Sequence, residues 1–257
     1  MYDTWAGGAN GDNCLYLREL EVYGTADAAP AAGGGSTDIM ALARLQQPLV
    51  KPASVGLFRR YCLQARTRIA VALLGDGFAA CGDPAHPTWV DLFIADLKQR
   101  GGYEAVDVIQ PGAPLPLGDL VKLREQLPRC KRADLLIIAY GTQSAFDATP
   151  TLNFRRQLTE LLAAVGQELT VLPVLVTPAP FAAQAKLTRY TEVQGKDSQR
   201  LARAAEQVAA LNGCALVRTA SVLARTDRPI SELYRDNVSL AAPGHLALSR
   251  ALGELLW

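Results

Sequence analysis

Ile69-Ala70-Val71-Ala72-Leu73-Leu74-Gly75-Asp76-Gly77-Phe78-Ala79 is the stretch on which the fold turns. The apolar run from Ile69 to Leu74 has no polar break and stops at Gly75. A strand with one solvated face alternates apolar and polar residues. An unbroken run marks a strand covered on both faces. The pattern returns at residues 105–109 before Gly112, at 133–139 before Gly141, and at 169–176 before Pro178. A short fifth run occupies residues 215–217.

Helical periodicity fills the intervals. Trp89, Leu92, Phe93 and Leu97 share one face of residues 88–100. Thr88 with Asp91 three residues on reads as the start of that helix, and Gly101-Gly102 as its stop. Residues 117–127 read as helix. Leu152, Leu158, Leu161, Leu162 and Val165 give the next helix its apolar face. Residues 199–211 form another, closed by Asn212-Gly213. Pro243 opens the last, with Leu246, Leu252, Leu255 and Leu256 as its apolar side. Buried strands alternating with helices predict an α/β fold: a three-layer αβα sandwich around a mainly parallel five-stranded sheet. Ligands of such sheets sit beyond the carboxyl ends of the strands. Gly75, Gly112, Gly141 and Pro178 all fall there. Each by itself serves either a strand-to-helix turn or the close approach of a ligand; together at one rim they indicate a pocket.

Bulk composition narrows the function. Of 257 residues, 49% are hydrophobic and 20% charged, and the formal net charge is +1. Clusters such as Arg129–Lys131–Arg132 read as solvated faces, so no nucleic-acid partner is expected. The five cysteines (Cys14, Cys62, Cys81, Cys130, Cys214) are widely spaced, without a Cys-x-x-Cys pair or a His/Cys cluster. No metal site and no cofactor are expected. One disulfide remains open; the cysteines otherwise read as small buried hydrophobes. No apolar stretch is long enough to cross a membrane, and Met1-Tyr2-Asp3-Thr4-Trp5 does not read as a signal peptide.

Three zones are expected. Residues 1–24 end in a strand-like segment, residues 25–67 comprise an Ala/Gly-rich linker and lead-in, and residues 68–257 form the α/β domain. Leu73-Leu74-Gly75-Asp76-Gly77-Phe78-Ala79 resembles the first block of the SGNH (GDSL-type) hydrolases, whose pattern is Gly-Asp-Ser. Val108-Ile109-Gln110-Pro111-Gly112 resembles the second block. Ala139-Tyr140-Gly141-Thr142-Gln143-Ser144 resembles the end of the third, usually Gly-Thr-Asn-Asp. Asp236-Asn237-Val238-Ser239, followed by Pro243-Gly244-His245, resembles the fifth, with its Asp-x-x-His.

The resemblance implies a flavodoxin-like sheet and an esterase chemistry. That chemistry uses a serine, a histidine oriented by an aspartate, and an oxyanion hole of serine N–H, glycine N–H and asparagine amide. Here Gly77 stands at the serine position, Gln143 at the asparagine and Ser239 at the histidine, while Gly112 and Asp236 fit theirs. Glycine offers no attacking oxygen, and without an imidazole at 239 nothing activates a hydroxyl near neutral pH. No catalytic residue is therefore expected. The expected pocket comprises Asp76, Gly77, Gly112, Gly141, Gln143, Ser144, Asp236 and Ser239. Of the two histidines, His245 takes a position that is usually structural in the family, and His86 reads as a loop residue or a replacement base. Ser144 and Ser239 are candidate hydroxyls or hydrogen-bond partners, Cys81 reads as packed, and Asp76 fixes its turn.

Residues 12–24 resemble the closing strand of a discoidin-type (coagulation-factor type C) β-sandwich, a class of sugar- or membrane-surface-binding module. Three functions follow as expectations. The first is a non-catalytic binding or assembly module, for acylated carbohydrate or a protein partner, within a larger multidomain protein. The second is an esterase of carbohydrate or lipid esters with an unorthodox catalytic set. The third is a purely structural interaction domain. An extracellular or cell-surface location follows if the sugar-binding-like remnant is real, and a cytoplasmic one otherwise.

Overall fold

The computed structural model describes residues 55–58, 67–79, 82, 85–181, 189–236 and 238–257. The chain divides into Met1–Ile39 and Met40–Trp257, and every described residue lies in the second unit. The discoidin-like strand, Cys14, Cys62 and Cys81 lie outside the described residues.

A helical turn, α1 (Val55–Phe58), precedes β1 (Arg68–Gly75). A 3₁₀ turn (Gly77–Ala79) leads towards α2 (Trp89–Gly101) and β2 (Ala105–Ile109). Next come α3 (Leu120–Gln126), β3 (Leu135–Ala139), α4 (Thr142–Phe146), α5 (Thr151–Glu168) and β4 (Leu172–Val176). The chain ends with α6 (Arg189–Asn212), β5 (Ala215–Val217), α7 (Thr219–Ala224), α8 (Ile230–Leu233) and α9 (Ala242–Leu256). The five strands are parallel, in the order β2-β1-β3-β4-β5.

Strand periodicity explains the two cores. Ile69, Val71 and Leu73 point to one face with Leu135, Ile137 and Ala139, where α2 and α9 supply Trp89, Phe93, Leu97, Leu248 and Leu252. Ala72, Leu74, Leu136 and Ile138 point to the other, against Leu123 of α3, Phe154 and Leu158 of α5 and Leu201 of α6. Alternate residues of one strand thus feed opposite layers. The strand order reverses between β1 and β3, so connections leave these neighbours on opposite faces and open a crevice above their carboxyl ends. Gly75 pairs with Ala139 there.

The expected layers and sheet are present, and three details are corrected. Helix α6 begins at Arg189 rather than residue 199. Its first residues, Arg189-Tyr190-Thr191-Glu192-Val193-Gln194-Gly195-Lys196-Asp197, are mostly polar and carry no helical apolar period in the sequence. Leu152 and Leu246, assigned to apolar faces, are 75% and 40% exposed. Both lie near the amino ends of their helices, α5 and α9.

Candidate functional site

Asp76 is the hub of the rim. Its backbone N–H donates to Ala139 O at 3.1 Å, extending the β1–β3 ladder by one step. The residue is 5% exposed. One oxygen accepts the Phe78 N–H at 3.1 Å; the other accepts the Gly141 N–H at 3.1 Å and the Gln143 N–H at 3.0 Å. Burial outweighs the N–H groups of Gln143, Phe78, Gly141 and Thr142 and raises this carboxyl above its usual range. The Phe78, Gly141 and Gln143 partners are all backbone donors, so both oxygens serve as acceptors. Asp76 therefore clamps the turn after β1 to the start of α4.

Gly141 makes that clamp possible. Its φ is +125°, and a Cβ there would lie 2.8 Å from Pro178 Cγ. Gly77 needs glycine for neither reason. Its φ is not positive, and a Cβ would meet nothing within 4 Å. The position is exposed and open. Neither the Gly77 nor the Gly112 N–H donates to an acceptor among the described residues. Gly112 follows β2, where Arg129 Nη1 donates to Pro111 O at 2.6 Å. A Cβ at 112 would fall 2.5 Å from Gln126 Nε2, the end of a flexible side chain.

The segment before α9 is held by its own turn. Asp236 Oδ1 accepts the N–H groups of Val238 at 2.8 Å and Ser239 at 2.6 Å. The Arg235 N–H donates to Ser239 O at 2.9 Å. Partial burial pushes the Asp236 carboxyl up, but the Ser239 and Val238 N–H groups outweigh it and hold the carboxyl below its usual range. Tyr234 bridges to Leu240, and its hydroxyl donates to Pro180 O in the loop after β4.

The two histidines take different places. His86 is exposed. His245, half-buried in the first turn of α9, accepts the Trp89 N–H on Nδ1 at 3.1 Å. It satisfies a donor that the start of α2 would leave orphaned. Trp89 in turn donates its indole N–H to Phe78 O at 2.9 Å, with the Phe78 ring 5.8 Å away. The turn at Gly77, the start of α2 and the start of α9 are thus joined through Trp89. Sequence reasoning missed this tie: Trp89 reads only as a core position.

GDSL-like lipases and acylhydrolases match residues 73–247 as a family. The chain belongs to that family. Among solved structures, it is similar to a catalytic mutant of Axe2, an acetylxylan esterase from Geobacillus stearothermophilus. Identity is 16%, TM-score 0.60, and coverage 73% of this chain and 94% of that one. A lipase/acylhydrolase from Enterococcus faecalis is 20% identical at TM-score 0.57, covering 72% and 94%. LAE5, an alpha/beta hydrolase from the metagenome of Lake Arreo, is 17% identical at TM-score 0.58, covering 73% and 94%. No curated protein sequence matches the chain.

Within this GDSL-like domain, Asp76, Gly141 and Gln143 are brought together, as are Asp236 and Ser239 in their own turn. The Gln143 side chain is exposed, and its amide donates to Asp147 Oδ1 at 2.9 Å along α4. Ser144 is buried on the same short helix. Described cysteines are free: burial pushes the Cys130 and Cys214 thiols up to about 11, which makes them poor nucleophiles. Among the described residues, no group of three His, Cys, Asp or Glu could hold a metal, and no helix is long and apolar enough to cross a membrane.

Proposed function

We propose that this GDSL-like domain is a catalytically degenerate, non-enzymatic binding or assembly module whose crevice receives an acyl group, as on an acylated carbohydrate. The observation that carries this reading is the open backbone at Gly77. The family pattern puts a serine there, and a side chain would fit, yet the residue has no oxygen with which to begin acyl transfer. Three further features support it. The Gly77 and Gly112 N–H groups have no acceptor among the described residues and suit a carbonyl oxygen. The Gln143 amide is engaged with Asp147. The His245 imidazole uses Nδ1 to accept from Trp89, so it is not poised as a base. The neighbours named as acetylxylan esterase and acylhydrolase suggest acyl esters as the ligand class.

Calorimetry with acetylated xylo-oligosaccharides tests the proposal. The expected result is saturable heat without release of acetate. Acetate release above that of a Gly77→Val control would overturn it and favour the second reading, an esterase with a rearranged set that includes His86 or Ser144. Neither heat nor turnover would leave a purely structural role.

A further inference from the structure

His245 sits where two helices begin. It lies in the first turn of α9, a 15-residue helix, and its Nδ1 accepts the N–H of Trp89, the first residue of the 13-residue α2. Both amino ends carry partial positive charge, which favours a neutral imidazole with a lone pair to offer. The first turn of α9 has no room to slide, since a Cβ on Gly244 would collide with Leu233 O and Leu240. Trp89 is fully buried and passes the tie on: its indole N–H donates to Phe78 O at 2.9 Å. The Phe78 N–H donates in turn to Asp76 Oδ1 at 3.1 Å. The turn at Gly77 is therefore held on one side by the Asp76 carboxyl and on the other by Trp89, which His245 holds in place. Gly77 itself is exposed, and the space around it offers no other brace.

We propose that His245 is a proton-operated latch on this turn. Neutral, it keeps Gly77 in the arrangement that receives the acyl carbonyl. Protonated on Nδ1, it has no lone pair left and turns a second donor towards the Trp89 N–H, so the tie to the turn opens. This regulation rests on the reading of the crevice as an acyl site: acid releases the ligand. The charges around the ring set its response. Burial opposes the proton most and Arg235, in the segment before α9, opposes it further; Asp91 of α2 and the Leu240 carbonyl favour it. Asp96 of α2 is paired with Arg100 at 2.8 Å. Among the other elements packed on α9, α1, α7 and β5 carry no charged residue, and Glu232 of α8 is paired with Arg228 at 3.2 Å.

Amide and ring NMR of the full chain between pH 7 and pH 5 tests the latch. The amides of Gly77, Phe78 and Trp89 are expected to shift together, with the midpoint at which the His245 ring titrates. His245→Gln substitutes a side chain that stays neutral and should remove that shift. The variant retains Asp76 and His86, so a shift unchanged in it would assign the response to one of those groups and overturn the latch. Gly77 and Phe78 amides that stay still in the parent while the ring titrates would overturn it too. Trp89→Phe removes the indole donor: the amide of residue 89 should go on titrating with His245, and those of Gly77 and Phe78 should not. Calorimetry with acetylated xylo-oligosaccharides reads the consequence. Affinity for the parent should weaken about threefold or more from pH 7 to pH 5, as the neutral fraction of His245 falls, and stay level for His245→Gln. Equal weakening in both proteins overturns regulation by His245. Binding at neither pH sinks the crevice reading, and the amide titration still decides the latch.

Discussion

Asp76 and Gly141 carry the sharpest expectations at single positions. Asp76→Asn replaces an oxygen acceptor with an NH₂ group facing backbone donors. The loss should be about 2–3 kcal/mol of folding stability, read by chemical denaturation. Gly141→Ala forces a side chain into a left-handed φ and against Pro178, and should cost about 1–3 kcal/mol. Gly77→Ala, with open space around it, should leave stability within about 0.5 kcal/mol of the parent. The need for glycine at the β3 rim was legible, because a strand end followed by a short helix calls for a sharp turn. The clamp by Asp76 was legible as a turn function only. Which donors it would gather depends on the neighbouring strand, and no local pattern in the sequence carries that. The Gln143 amide is a different case: i, i+4 spacing to Asp147 on a helix brings the two within reach, so its orientation was readable in principle.

Helix α2 and helix α9 show what capping contributes across a layer. Asp91 Oδ2 accepts the N–H groups of Thr88 at 2.8 Å and Gly82 at 2.7 Å, and His245 takes the N–H of Trp89. Asp91→Ala should lose about 1–2 kcal/mol in thermal or chemical unfolding. His245 adds a pH dependence. Burial lowers its affinity for a proton, Arg235 lowers it further, and Asp91 and the Leu240 carbonyl oppose both. A histidine depressed in the folded state binds a proton more readily when unfolded. Its contribution is complete above the ordinary value of 6.5 and is lost as pH falls from there through the depressed value. Denaturation midpoints should therefore drop more between pH 7 and 5 for the parent than for His245→Gln. Equal slopes in the two proteins would exclude this coupling. The start of α2 was readable from Thr88 and Asp91, because a cap is a local signal. The start of α6 was not, since its first residues are mostly polar and carry no apolar period.

For the chain as a whole, the order β2-β1-β3-β4-β5 places the crevice where connections diverge, and continuous apolar runs made that architecture readable. Strand order itself follows from which helix covers which face, a tertiary matter. The family resemblance assigns Gly77, Gly112, Gln143, Asp236 and Ser239 to its blocks, but carries nothing of their orientations. If the crevice retains its shape, Gly77→Ser, Gln143→Asn and Ser239→His together should raise p-nitrophenyl acetate hydrolysis by about 10²-fold or more over the parent. A folded triple variant with parental rates would reject the assignment of these positions.

The empty surroundings of the glycine after Asp76 also make it a place to attach things. A cysteine introduced there would project a thiol into open solvent without displacing a neighbour. Disulfide-tethered fragments or a fluorophore hung from it would report directly what comes to rest above the sheet.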